Sequence, residues 1–292
     1  MEGTLVRKPI PSSARRRTLV AIGSATTTLI LLAGCSSAGP RSVETPPVFG
    51  HIHAVIPSED GTVLVGTHNG VYTLSGKGEV DGPLGEYDFD AMGLTALGDI
   101  LVASGHPGLE TPAELGAPNL GIIRSEDGGK SWEPIALTGK EDFHVLAAAP
   151  DDRLYGVGSS STAVRVSDDA GATWTVAADV AAAALAVTDD GTVYAATPNG
   201  MLVSRDGAAT FEGLADAPLL DLLDASGAEL VGVGPGGQLW LRSSERDWRG
   251  AGTAEGDVSA IGLSASGAIY LVDDRGIVVI EDGQARTILR AL

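Results

Sequence analysis

The chain has a single cysteine, Cys35, in 292 residues. With no second thiol, an intramolecular disulfide is excluded, and so is a thiolate cage for zinc or an iron–sulfur cluster. Stability must therefore come from packing alone. Basic residues are also short, 19 against 38 acidic ones, for a net charge of −19. Five of the basic residues and one acid precede Cys35, leaving 14 against 37 after it, or −23. A surface of that sign repels nucleic acid and anionic lipid headgroups and favours cations. No motif indicates an organic cofactor. Histidine is scarce and one-sided. All five lie between His51 and His144, and the C-terminal half has none.

The start of the chain is of another kind. Arg15, Arg16 and Arg17 precede an apolar stretch, 18–33, that runs into Leu32-Ala33-Gly34-Cys35. The stretch is short for a membrane-spanning helix, which needs about 20 residues. The pattern resembles a bacterial lipoprotein signal. That resemblance implies cleavage before Cys35 and a diacylglycerol on its thiol. The expected organisation is a signal peptide at 1–34, a polar tether at 35–49 (SSAGPRSVETPP is its middle) and one folded body at 50–292. The expected location is the extracytoplasmic face of the cell membrane, held by the lipid. A plain secretory signal is the alternative, and the paired arginines leave the export route open.

The body repeats. Ser125, Asp127, Gly129 and Trp132 share the pattern S-x-D-x-G-x-x-W with Ser167, Asp169, Gly171 and Trp174. Ser204, Asp206 and Phe211 keep it with an alanine at the glycine position, and Ser243–Trp248 is a shortened remnant. The serines are 42, 37 and 39 residues apart, and a period near 40 marks a propeller or a solenoid. These segments resemble the Asp-box, or BNR repeat, of sialidases, sortilin-like receptors and photosystem II assembly factors. The resemblance implies a structural turn between the third and fourth strands of each unit and says little about chemistry.

Period-two patterning marks the strands. Six units follow one order: an apolar strand such as HIHAVIP or HVLAAAP, a second such as TVLVGTH or RLYGVGS, a third, and then the Asp-box or its relic. The expected fold is all-β, a six-bladed β-propeller, in which radial repetition protects short strand edges. An open array, or a ring with a missed seventh blade because 79–90 and 107–118 are irregular, is the alternative.

In such a blade the first strand lines the central channel. The loop into it and the loop from second to third strand open on one face. His51 and His53 open the first strand of blade one, and His68 and His106 end second strands. His144 opens the first strand of blade three. All five therefore belong to one face, together with Asp88, Asp90, Asp142 and Met92. Imidazoles and carboxylates converging from three blades suit a transition metal. The expected ligands are His51, His53 and His144, then His106, with Asp88 as the carboxylate, His68 in support and Met92 favouring copper over zinc. One common centre is expected.

Beyond the Asp-box, the run HIHAV, GTHNGVY, DFDAMG, ASGHPG, SEDGGKSW, DFHVL resembles exported bacterial BNR-repeat proteins of the F510_1955 glycosylhydrolase type. The resemblance spans about 50–292 and carries over His51, His53, His68, Asp88, Met92, His106 and His144. A sialidase would also need three converging arginines. Arg124, Arg165, Arg205 and Arg242 instead share one repeat position, which argues for packing. Three functions stay open: a metal or small-ligand binder, a glycosidase or metal-dependent hydrolase using carboxylates such as Asp88 and Asp142, and a scaffold for a protein partner.

Overall fold

The structure is a computed structural model that describes residues 49–243 and 247–290. The expected signal peptide, Cys35 and all but the last residue of the tether lie outside the described residues. Among the described residues, no helix is long and apolar enough to cross a membrane.

Among the described residues, twenty-four strands form six four-stranded antiparallel sheets, each made of four consecutive strands. Blade one is β1 (Ile52–Pro57), β2 (Val63–Thr67), β3 (Gly70–Leu74) and the short edge β4 (Val80–Asp81). Blade two is β5 (Asp90–Leu97), β6 (Ile100–His106), β7 (Ile122–Ser125) and β8 (Glu133–Ala136). Blade three is β9 (Phe143–Ala148), β10 (Leu154–Gly158), β11 (Ala163–Ser167) and β12 (Thr175–Asp179). Blade four is β13 (Ala184–Val187), β14 (Val193–Thr197), β15 (Gly200–Ser204) and β16 (Glu212–Gly213). Blade five is β17 (Leu222–Ser226), β18 (Glu229–Gly234), β19 (Gln238–Arg242) and β20 (Trp248–Thr253). Blade six is β21 (Ala260–Leu263), β22 (Ile269–Asp273), β23 (Gly276–Glu281) and β24 (Gln284–Arg290). The six-bladed propeller expected from the repeat is the fold observed. The irregular runs hold 3-10 turns at Leu84–Glu86 and Ala113–Leu115 and hide no further blade. The run LLDLLDA reads as a strand from Leu219, but β17 starts at Leu222. Leu219 is exposed, and Leu220 reaches from the loop into the core between blades four and five.

The core is divided. Six apolar clusters each lie between two neighbouring blades. The second strands are largely buried, so their sequences lose the alternation of a half-exposed strand: all five residues of β10 and of β14 are buried. Among the described residues no strand is shared between the first and last blades, so side-chain packing, joined by a bond from Arg286 to the Gly76 carbonyl, closes the ring. Ile52, Val55, Val63 and Tyr72 of blade one meet Ala260, Tyr270, Val272 and Ile277 of blade six. Near the axis the backbones nearly touch. A Cβ on Gly262 would lie 2.4 Å from the Val55 carbonyl oxygen, and one on Gly93 would lie 2.4 Å from that of Phe143. Only glycine allows that approach.

The three repeated turns are built alike. The Ser125 hydroxyl donates to Asp127 Oδ1 and accepts the Gly129 N–H, while Asp127 accepts both the N–H and the hydroxyl of Ser131. Ser167 with Asp169, and Ser204 with Asp206, repeat these bonds. Each turn then sends an aromatic ring into the core at the seam with the preceding blade. Trp132 meets Phe89, Trp174 meets Phe143 at 4.7 Å between centroids, and Phe211 joins the cluster between blades three and four. These turns join third to fourth strands, so they lie at the end of each blade opposite the loops that carry histidine.

Candidate metal centre at the channel mouth

The innermost strands line a central channel of about 390 Å³. At one end of it stand His53 on β1, Met92 on β5 and His144 on β9. These three strands share a feature that the other inner strands lack. On β1, Ile52 pairs with Thr67 and Ala54 with Gly66, so His53 is an extra residue. On β9, Val145 pairs with Val157 and Phe143 with Gly158, so His144 is extra. On β5 the register slips between Asp90 and Gly93, beside Met92. The inner pairs of blades four, five and six run in unbroken register. A bulge re-aims a side chain that the pleat would otherwise place, and here it does so in each blade that brings histidine to the mouth.

The five imidazoles do not gather at one point. They form two groups, each with its own carboxylate. The first is His51, His53 and His68. The turn T-H-N-G holds His68: the Thr67 hydroxyl accepts the Asn69 N–H and donates to the Gly70 carbonyl. The His68 N–H then bonds the His51 carbonyl across the strand pair. His51 Nδ1 and His53 Nδ1 are 3.4 Å apart, and the His53 and His68 ring centroids are 4.7 Å apart. Asp90 enters from blade two, with Oδ1 3.3 Å from His53 Nε2 and Oδ2 3.6 Å from His68 Nε2. His53 Nε2 and Asp90 Oδ1 are buried and make no hydrogen bond. Leaving such atoms unpaired costs about 1–3 kcal/mol each, a cost that a cation between them would remove. Burial first, and then the neighbouring His53 and His68 rings, lower the His51 pKa. This favours the neutral imidazole that a metal needs.

The second group is His106, Asp142 and His144. Asp142 is buried, and its Oδ2 lies 2.7 Å from His144 Nε2 and 3.0 Å from His106 Nε2. The Ser159 N–H holds the Asp142 carbonyl, and the Ser104 hydroxyl accepts the next N–H, that of Phe143. Both imidazoles are half-exposed.

Asp88, the carboxylate expected at the metal, belongs to neither group. It accepts the Glu110 N–H at 2.9 Å and the Thr111 hydroxyl at 2.7 Å, and so ties down the rim loop that follows His106. Burial raises its pKa, but these bonds outweigh it and hold the carboxyl below its ordinary value. Asp88 precedes β5, where no pleat directs its side chain, whereas Asp90 opens the strand. Met92 lines the channel between His53 and His144. The repeated arginines do not converge. Arg124 pairs with Glu126, Arg165 with Glu141 and Arg205 with Glu212, while Arg242 bonds the Tyr194 hydroxyl. In the sequence Asp88, Asp90 and Asp142 all stand on this face, but nothing in the one-dimensional pattern sets Asp90 above Asp88 or marks the three bulges.

No protein-family model matches the chain, the exported glycosylhydrolase type included, and neither does any curated protein. Solved structures do. A gluconolactonase from Xanthomonas campestris superposes with a TM-score of 0.60 at 16% identity, over 79% of this chain and 85% of that one. Virginiamycin B lyase from Staphylococcus aureus gives 0.53 at 12% identity, over 82% and 84%. The extracellular domain of a B. thetaiotaomicron protein described as a one-component system gives 0.51 at 12% identity over 81% of this chain, which spans only 33% of its length. At such identities the shared property is the propeller fold.

Proposed function

We propose that this chain is an extracytoplasmic metal-binding propeller that holds a late first-row transition ion, zinc or copper, at His51, His53 and His68 with Asp90. Cleavage after residue 34 would leave Cys35 to carry the lipid, a tether to residue 49 and the propeller beyond. The repeated serine–aspartate turns fit the Asp-box reading. One observation carries the metal site: His53 Nε2 and Asp90 Oδ1, both buried and without a hydrogen bond, stand 3.3 Å apart among three imidazoles, where two lone pairs would face one ion. Three nitrogens and a carboxylate suit Zn²⁺ or Cu²⁺. The test is metal content and chelator competition on protein purified without a polyhistidine tag. His51→Ala/His68→Ala removes two exposed rings and leaves the core untouched. It should bind at least one equivalent less than the native chain, and equal metal content in both would overturn the site.

The channel that opens against His53 and His144 favours a metal-dependent hydrolase as the second reading, because it leaves about 390 Å³ for a small substrate beside the ion. A glycosidase pair is poorly served: Asp88 is bound to the rim loop and Asp142 is buried. A scaffold is poorly served too. Among the described residues the exposed large apolar side chains are Leu109, Val176 and Leu219, scattered over blades two, three and the loop before blade five.

A further inference from the structure

We propose a second metal site at the same mouth, formed by His106, Asp142 and His144, so that the chain binds two ions rather than one. This rests on the metal reading above for its chemistry and on separate residues for its geometry. His106 Nδ1 lies 3.4 Å from the Pro118 carbonyl oxygen, which can only accept, so the ring proton belongs on Nδ1. That leaves the lone pair of a neutral His106 on Nε2, facing Asp142 Oδ2 at 3.0 Å. Two lone pairs at that distance repel unless a positive charge sits between them. A metal-binding imidazole usually donates its other N–H to a carbonyl or carboxylate in this way, which fixes the ring and raises its basicity. The second, independent observation is on Asp142. The residue is 1% exposed, and its Oδ1 has no hydrogen-bond partner. A buried carboxylate with a free oxygen and two imidazoles on the other is under-neutralised from within the protein.

The two groups do not compete for ligands. Each holds its donor atoms within 4.8 Å of one another, and each has its own acid, Asp90 for the first and Asp142 for the second. The bulge at His144 aims one ring of the second group, and the rim loop 107–118 fixes the other by starting beside His106 and returning to it at Pro118. Two imidazoles and one carboxylate leave a fourth position open on a tetrahedral ion. That composition is the one found where zinc carries water or substrate rather than a purely structural role. The class of ion is therefore a divalent metal that accepts nitrogen and oxygen donors, Zn²⁺ above all.

The experiment is equilibrium dialysis of the tag-free chain against Zn²⁺, read as equivalents bound, with near-ultraviolet circular dichroism to confirm the fold. The native chain should bind two equivalents. His106→Ala/His144→Ala should bind one, and His51→Ala/His68→Ala should bind the other one. Asp142→Asn keeps the buried shape and should weaken only the equivalent that His106 and His144 hold. One equivalent in the native chain, lost with His51 and His68 and indifferent to His106 and His144, would overturn the second site and leave the first. Two equivalents surviving in His106→Ala/His144→Ala would also overturn it. No zinc in the native chain would overturn both readings.

Discussion

Asp224 tests whether the channel is as poor a solvent as its lining implies. It sits on β17, the inner strand of blade five, and faces the channel. Its Oδ2 accepts the Leu263 N–H of blade six at 2.7 Å. Burial pushes its carboxyl up from 3.8 to about 6, and hydrogen bonds from Leu263 and Ala225 offset this only in part. A group whose folded pKa exceeds its unfolded one stabilises the fold fully below the unfolded value. That contribution is lost as pH rises through the folded value. The window is therefore about pH 4 to 6. A difference near two units at about 1.4 kcal/mol each gives roughly 3 kcal/mol. Part of the residue is open to channel water, so this is an upper bound. Asn keeps the acceptor oxygen for Leu263 and carries no charge. Asp224→Asn should therefore be more stable than the native chain at pH 8, by about 1–3 kcal/mol. The gap should narrow below pH 6 and close near pH 4. Chemical denaturation midpoints across that range measure it. A gap that is absent at pH 8, or that does not change with pH, would refute the reasoning.

Two further outcomes follow from the turns and the rim. The Ser131 hydroxyl and N–H, with Ser125, hold the Asp127 carboxyl down at about 2. Its stabilising contribution is thus complete above about pH 4 and lost as pH falls through about 2. Asp127→Ala should lower the thermal midpoint at neutral pH, and the difference should shrink steadily as pH falls from about 4 through 2 in a pH series of melting curves. Asp88→Ala removes the bonds to Glu110 and Thr111. Amide hydrogen exchange should then speed up at Glu110 with little change in β5 and β6, whereas faster exchange spread evenly across blade two would show that Asp88 does not act on the loop.

The histidine face was legible because the reasoning needed only strand order. Once four strands per unit are counted, His51, His68, His106 and His144 must fall at one end of their blades. The choice of carboxylate was not legible. Asp88 and Asp90 are two residues apart and look equivalent in D-F-D, yet one turns to Thr111 and the other to His53. The deciding contact lies 23 residues away, in a loop with no pattern of its own. Asp142 was visible beside His144, but its pairing with His106 crosses from blade three to blade two and leaves no trace in either segment.

Sequence alone determined the repeat, the propeller class, most of the strands and the end of the ring at which histidine collects, and the structure settled the count at six blades. Alternation, turn chemistry and chain order are local properties, and each is written into a few consecutive residues. Only the tertiary structure decided that five imidazoles divide into two groups and which acid stands beside each. Those outcomes depend on bulges in β1, β5 and β9 and on the approach of one blade to the next. Spacing along the chain cannot encode the angle between blades, and that angle sets which ring nitrogens come within reach of one ion.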